Sequence, residues 1–193
     1  GTAPLLVALT APFFIGDHLS VQEYIGVTVL GFGILLMAQG IFANGENRRM
    51  LPFALGSALA TATYTLIDGH GARISGDAVA YVAWVFVADG IIFATGALAF
   101  KGLDVLPRNR RAWGIGFLAS AASYGAYAVS IWAMTRAPIA VVAAVRETSI
   151  LFAVLIGWLI FGEVPGLWSW VGMALIMSAS LYLVLTEGRK SKA

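Results

Sequence analysis

The chain has 193 residues, of which 60% are hydrophobic and only 11% charged, against roughly 25% charged in an average soluble domain. That charge cannot cover a water-facing surface, so a soluble globular domain is excluded, and a net charge of +2 leaves no basic face for nucleic acid. With no cysteine there is no disulfide frame, no thiolate nucleophile and no thiolate metal site.

A bilayer is crossed by about 20 apolar residues in a helix. The first apolar segment, 2–15, is too short for this. Full spans are expected at 24–42, 51–68, 78–100, 113–134, 138–161 and 167–186. Between them lie connectors with turn chemistry and charge: Asn44-Gly45-Glu46-Asn47-Arg48-Arg49, Gly69-His70-Gly71, Pro107-Arg108-Asn109-Arg110-Arg111 and Glu163-Val164-Pro165-Gly166. Lipid offers no partner to backbone N–H and C=O groups, so the spans must be helices. The expected fold is all-α, a polytopic transmembrane bundle of six full spans and one partial span.

The short first segment has a counterpart in the chain. A shift of 146 residues places Thr2 on Thr148, Leu5 on Leu151, Gly16 on Gly162, Asp17 on Glu163, Gly26 on Gly172 and Leu35 on Leu181 without a gap. In each copy an apolar helix stops at a glycine and an acid, and a further glycine lies near the start of the next helix. The copies are five helices apart, an odd number, so they cross in opposite directions. Such an inverted-topology repeat is the plan of many secondary transporters. Gly1 falls on Glu147, in mid-helix, so the chain is expected to begin inside a span, with three helices upstream of it.

The stretch Ala137-Pro138-Ile139-Ala140 through Arg146-Glu147-Thr148-Ser149, ending at Phe161-Gly162-Glu163 and followed by Gly172, resembles the EamA domain of the drug/metabolite transporter superfamily. Segment 2–42 resembles the end of the same domain, and Tyr64-Thr65-Leu66-Ile67-Asp68-Gly69 the start of a second copy. The resemblance implies ten helices in two five-helix inverted repeats. Residues 1–42 are then the last two helices of the first repeat, 43–50 an inter-repeat linker, 51–186 the complete second repeat, and 187–193 a basic tail. It also implies a multi-pass protein of the cell inner membrane with a cytoplasmic C-terminus. Charge alone leaves orientation open. Arg48, Arg49, Lys101, Arg108, Arg110 and Arg111 on one side face Arg73, Arg136, Arg189, Lys190 and Lys192 on the other.

Function rests on the polar groups inside the spans. On a helical wheel Ser57, Thr61, Tyr64, Thr65 and Asp68 share an arc of about 100°, and Ser120, Ser123, Tyr124, Tyr127 and Ser130 one of about 120°. Small hydroxyl residues also let helices approach and bond across, but tyrosines favour the interface. Tyr64, Tyr124 and Tyr127 at depth are therefore read as cavity lining. Of the charged residues, only Asp68, Asp89, Arg146 and Glu147 fall within the expected spans. An intramembrane charge costs about 2.5–3.5 kcal/mol on insertion scales, so each needs a partner. Asp89, at the centre of its span, is expected to pair with Arg146, leaving Glu147 facing the cavity as a proton or substrate group. The expected substrate site is thus Tyr64, Asp68, Asp89, Ser123, Tyr124, Tyr127, Arg146 and Glu147.

Other residues read as structural. Asp17 and Glu163 are carboxylates at interfacial turns. His18 and His70 have no second histidine at metal spacing, so neither metal nor cofactor is expected. Trp113, Trp168 and Trp170 read as interfacial anchors. A retinal receptor is rejected because no lysine lies inside a span, an intramembrane enzyme because no catalytic motif surrounds Asp89 or Glu147, and a channel because no filter segment repeats. The expected function is a secondary transporter, exporting a small metabolite or drug-like molecule by alternating access with the proton as first candidate coupling ion. The alternative is a non-transporting membrane subunit or scaffold. Expected partners are the substrate, the proton, the bilayer, and either the upstream helices or a dimer partner.

Overall fold

The computed structural model describes residues 2–43 and 51–190, with backbone alone for 39–43. The expected linker at 43–50, apart from Ala43, and tail residues 191–193 lie outside the described residues. Among the described residues eight α-helices run in order: α1 Ala3–Phe14, α2 Val21–Ala43, α3 Leu51–Ser75, α4 Ala78–Lys101, α5 Arg110–Met134, α6 Ile139–Arg146, α7 Ser149–Phe161 and α8 Leu167–Lys190. One 3-10 turn, Gly102–Val105, follows α4. No strand occurs among the described residues, as lipid solvation of the backbone demands.

Among the described residues five segments are long and apolar enough to cross a membrane: Val21–Ala38, Ala78–Val105, Arg110–Met134, Ile139–Phe161 and Leu167–Lys190. Hydropathy thus supports five of the six expected full spans among the described residues. The exception is α3, whose 25 residues give ample length but whose hydroxyls, Asp68, His70 and Arg73 dilute its apolar character. The connector expected at Gly69-His70-Gly71 is corrected as well, because α3 runs straight through it to Ser75. Gly71 serves packing rather than a turn: a Cβ there would lie 2.7 Å from the Tyr81 hydroxyl oxygen on α4.

The helices form two units, one of residues 1–68 and 137–193, the other of residues 69–136. In the first unit α1–turn–α2 and α7–turn–α8 match at the 146-residue shift in helix bounds and in turn geometry. Gly16 (φ 70°) and Gly162 (φ 72°) both take the left-handed conformation that glycine adopts without steric cost. The following acid then bonds back in both copies, Asp17 N–H to Ala11 O at 3.4 Å and Glu163 N–H to Gly157 O at 3.1 Å.

Helices α2 and α8 pack antiparallel. Ascending positions on α2 meet descending ones on α8: Glu23 against Lys190, Gly26 against Leu183, Gly33 against Ile176, and Met37 against Gly172. Under the 146-residue shift Gly26 becomes Gly172 and Met37 becomes Leu183, so the contact of Gly26 with Leu183 maps onto that of Gly172 with Met37. The seam therefore has a local pseudo-twofold axis. Its backbones approach closely at the middle, where a Cβ on Gly172 would lie 2.6 Å from the Gly33 carbonyl oxygen. Leu30, Ile176 and Leu183 are fully buried in this unit.

In the second unit the last turn of α3 joins α4 and α5. Asp77 caps α4 by accepting from Val79 N–H and Ala80 N–H, both at 3.0 Å. Asn109 caps α5 by accepting from Arg111 N–H at 2.9 Å. Much of α4 and α5 is exposed, with Trp84, Phe93 and Phe117 among the exposed apolar side chains.

Candidate functional site

The expected span 138–161 is interrupted where its two charges stand. Helix α6 ends at Arg146 and α7 begins at Ser149. Across the junction the backbone tightens from α to 3-10 pairing: Glu147 N–H bonds Ala144 O at 3.0 Å and Thr148 N–H bonds Val145 O at 3.1 Å. The Thr148 hydroxyl adds a bond to Val145 O at 2.7 Å. A 3-10 stretch inside a helix marks a strained sequence or a hinge. Here it sits at the only expected span that carries adjacent opposite charges.

Arg146 points to α3. Its Nη2 donates to the Tyr64 hydroxyl oxygen at 3.2 Å, which joins two of the expected site residues. Tyr64 remains 40% exposed, so the guanidinium and phenol present an accessible polar pair rather than a sealed core contact. Asp68 follows Tyr64 by one turn of α3, half-buried, and Glu147 is half-buried at the junction itself. In the same stripe Thr65 is buried, so part of it serves helix packing.

The position of Arg146 is set from the start of α6. Pro138 opens this helix without a side-chain cap, leaving the Ile139 N–H to be satisfied elsewhere. Asp17 supplies the acceptor, its Oδ2 receiving Ile139 N–H at 2.8 Å. The small residues Ala140, Ala143 and Ala144 are buried in α6, as are Val7, Ala8 and Ala11 in α1, which packs against it. Asp17, read from sequence as a turn carboxylate, is therefore a cap that fixes α6 and through it Arg146.

In the second unit Tyr124 and Tyr127 gather around Phe86 of α4, with ring centroids 5.3 and 5.9 Å away. The Tyr124 hydroxyl reaches Val79 O at 3.4 Å. Asp89 lies one turn beyond Phe86 and is exposed. Ser123 on α5 is also exposed. The expected site residues thus fall into two groups: Tyr64, Asp68, Arg146 and Glu147 in one unit, and Asp89, Ser123, Tyr124 and Tyr127 in the other. Among the described residues no cluster of His, Asp or Glu has metal-binding geometry.

One charged cluster escaped sequence reasoning. Glu23 is fully buried. It accepts from Ser20 N–H at 2.5 Å and Ser20 Oγ at 2.7 Å through Oε2, and from Lys190 Nζ at 2.6 Å through Oε1. Glu187 stands 3.4 Å from the same ammonium. The signal for half of it was present: Ser20-Val21-Gln22-Glu23 is a capping box, and the reciprocal bond from Glu23 N–H to Ser20 Oγ is made at 3.4 Å.

Comparison with known proteins gives one match. The family model for the EamA-like transporter family matches residues 48–185. No curated protein and no solved structure matches the chain.

Proposed function

The chain belongs to the EamA-like transporter family, and on that premise we propose that it is a secondary transporter exporting a small metabolite or drug-like molecule by alternating access. The observation that carries this reading is the α2/α8 seam, where two helix pairs matched at a 146-residue shift meet in antiparallel, pseudo-twofold contact. Inverted repeats of this kind give a carrier two equivalent closures, one on each side of a central site. Five-helix repeats, with 51–186 as the second, extend the same symmetry to the whole fold.

Arg146 supplies a positive charge for an anionic substrate group, oriented by the Tyr64 hydroxyl. Glu147 and Asp89 are assigned the coupling role as the ionisable carboxyls nearest the middle of their spans. Asp68, Ser123, Tyr124 and Tyr127 line the path. The protein sits in the inner membrane with its C-terminus, after α8, in the cytoplasm.

The test is flux in proteoliposomes of the purified protein, with an imposed pH gradient and a panel of metabolites and drug-like compounds. The expected result is gradient-dependent movement of at least one compound, lost in Arg146→Gln with the protein still folded. Flux that ignores the pH gradient would remove the proton from the proposal. An absence of flux with the whole panel, together with stable assembly on another membrane protein, would replace the carrier by a non-transporting subunit.

A further inference from the structure

At one end of the second unit the last turns of α3 and α5 and the first turn of α4 enclose a cavity of about 470 Å³ that the transport reading does not use. Arg73, Asp77, Trp132, Thr135 and Arg136 line it. Its depth is set by the spans themselves, since residues 72–79 and 132–136 are the terminal residues of α3, α4 and α5. The cavity therefore opens at the membrane–water boundary, where phospholipid phosphates lie.

The charges of this cavity are not equivalent. Asp77 is committed to α4, its Oδ1 accepting from both Val79 N–H and Ala80 N–H. Arg73 Nε donates to Met134 O at 2.8 Å, tying the end of α3 to the end of α5. Arg136 is different: its guanidinium carbon lies 4.4 Å from the centroid of the Trp132 ring. This cation–π contact holds the guanidinium beside the ring, and its N–H groups suit a planar or tetrahedral oxyanion, the chemistry that makes arginine a phosphate ligand. The two arginines outnumber the one carboxylate. From the rim, largely exposed Val79 and Val129 continue along α4 and α5 toward the middle of the spans.

We propose that this cavity binds the phosphodiester headgroup of an anionic phospholipid, with Arg136 as the phosphate ligand. The Arg136–Trp132 stack at the mouth and the apolar wall below it match the two ends of such a molecule. A soluble phosphate would use only the first. The site shares no residue with the Arg146–Tyr64 pair, so its failure leaves the carrier reading untouched.

Native mass spectrometry of the purified protein titrated with phosphatidylglycerol or phosphatidylcholine tests the proposal. Wild-type protein is expected to retain phosphatidylglycerol in preference to phosphatidylcholine, and Arg136→Gln to weaken phosphatidylglycerol alone by about tenfold, the loss of one charge-assisted contact. Arg136→Lys, which keeps the charge but not the stacked fork, is expected to fall between them and guards against misfolding of the first variant. Equal retention of phosphatidylglycerol by wild type and folded Arg136→Gln overturns the site. Displacement of phosphatidylglycerol by excess inorganic phosphate overturns the lipid as its occupant.

Discussion

The polar contacts that matter most in this chain are few, and they differ in what they tolerate. Glu23 is fully buried while Lys190 is half exposed. Removing the lysine strands a desolvated carboxylate, whereas neutralising both partners removes that charge and leaves only Glu187, partly exposed, without the ammonium. Lys190→Met is expected to destabilise the protein by about 3 kcal/mol, near the lower end for a broken buried pair because water reaches one partner. The double variant Glu23→Gln with Lys190→Met should recover much of that loss. Thermal unfolding in detergent of the single and double variants checks this, and additive losses would sink the coupling. Tyr64→Phe removes a single hydrogen bond from Arg146, worth about 1 kcal/mol. It should weaken substrate affinity several-fold while leaving the thermal midpoint near wild type; an unchanged affinity in binding titrations would take Tyr64 out of the site. Legibility at this scale followed distance along the chain. The capping box of Ser20 and Glu23 can be read from four consecutive residues. Lys190 follows 167 positions later, and no local rule joins it to Glu23.

At the scale of the helices, the positions of most were legible because a membrane span is a length and a hydropathy, and both are local properties. Their interruptions were not. Arg146, Glu147 and Thr148 have ordinary helix preferences, so the 3-10 tightening at the α6–α7 junction leaves no propensity signal. The error at Gly69-His70-Gly71 is the converse: two glycines suggested a turn, but Gly71 is required by the approach of Tyr81. The same distinction makes a prediction for the α2/α8 seam. Gly172 faces the Gly33 carbonyl, a backbone atom that cannot rotate away. Gly172→Val should therefore spread the two helices and destabilise by about 1–3 kcal/mol, the usual range for overpacking. Gly90, on the exposed face of α4 with open space around its Cα, should accept alanine with no loss. Comparing the thermal midpoints of the two variants checks the seam, and equal effects would show that backbone contact at Gly172 contributes nothing.

For the molecule as a whole, the question is how four charged residues come to lie within expected spans of a chain that is only 11% charged. Asp68 lies near the end of its expected span, and Glu147 at the break between α6 and α7. Asp89 and Arg146 are the two whose charges invite mutual neutralisation, and pairing them is the most economical way to hold both in lipid, where either alone costs about 2.5–3.5 kcal/mol. They belong to different units, Asp89 in the one formed by 69–136 and Arg146 in the other. On the carrier reading, the expected pairing of Asp89 with Arg146 is tested by charge exchange. Asp89→Asn and Arg146→Gln should each abolish flux, and the exchange of the two residues, Asp89→Arg with Arg146→Asp, should restore part of it. Flux and thermal stability of the single and exchanged variants decide the matter: if the exchange recovers neither, Asp89 and Arg146 act separately.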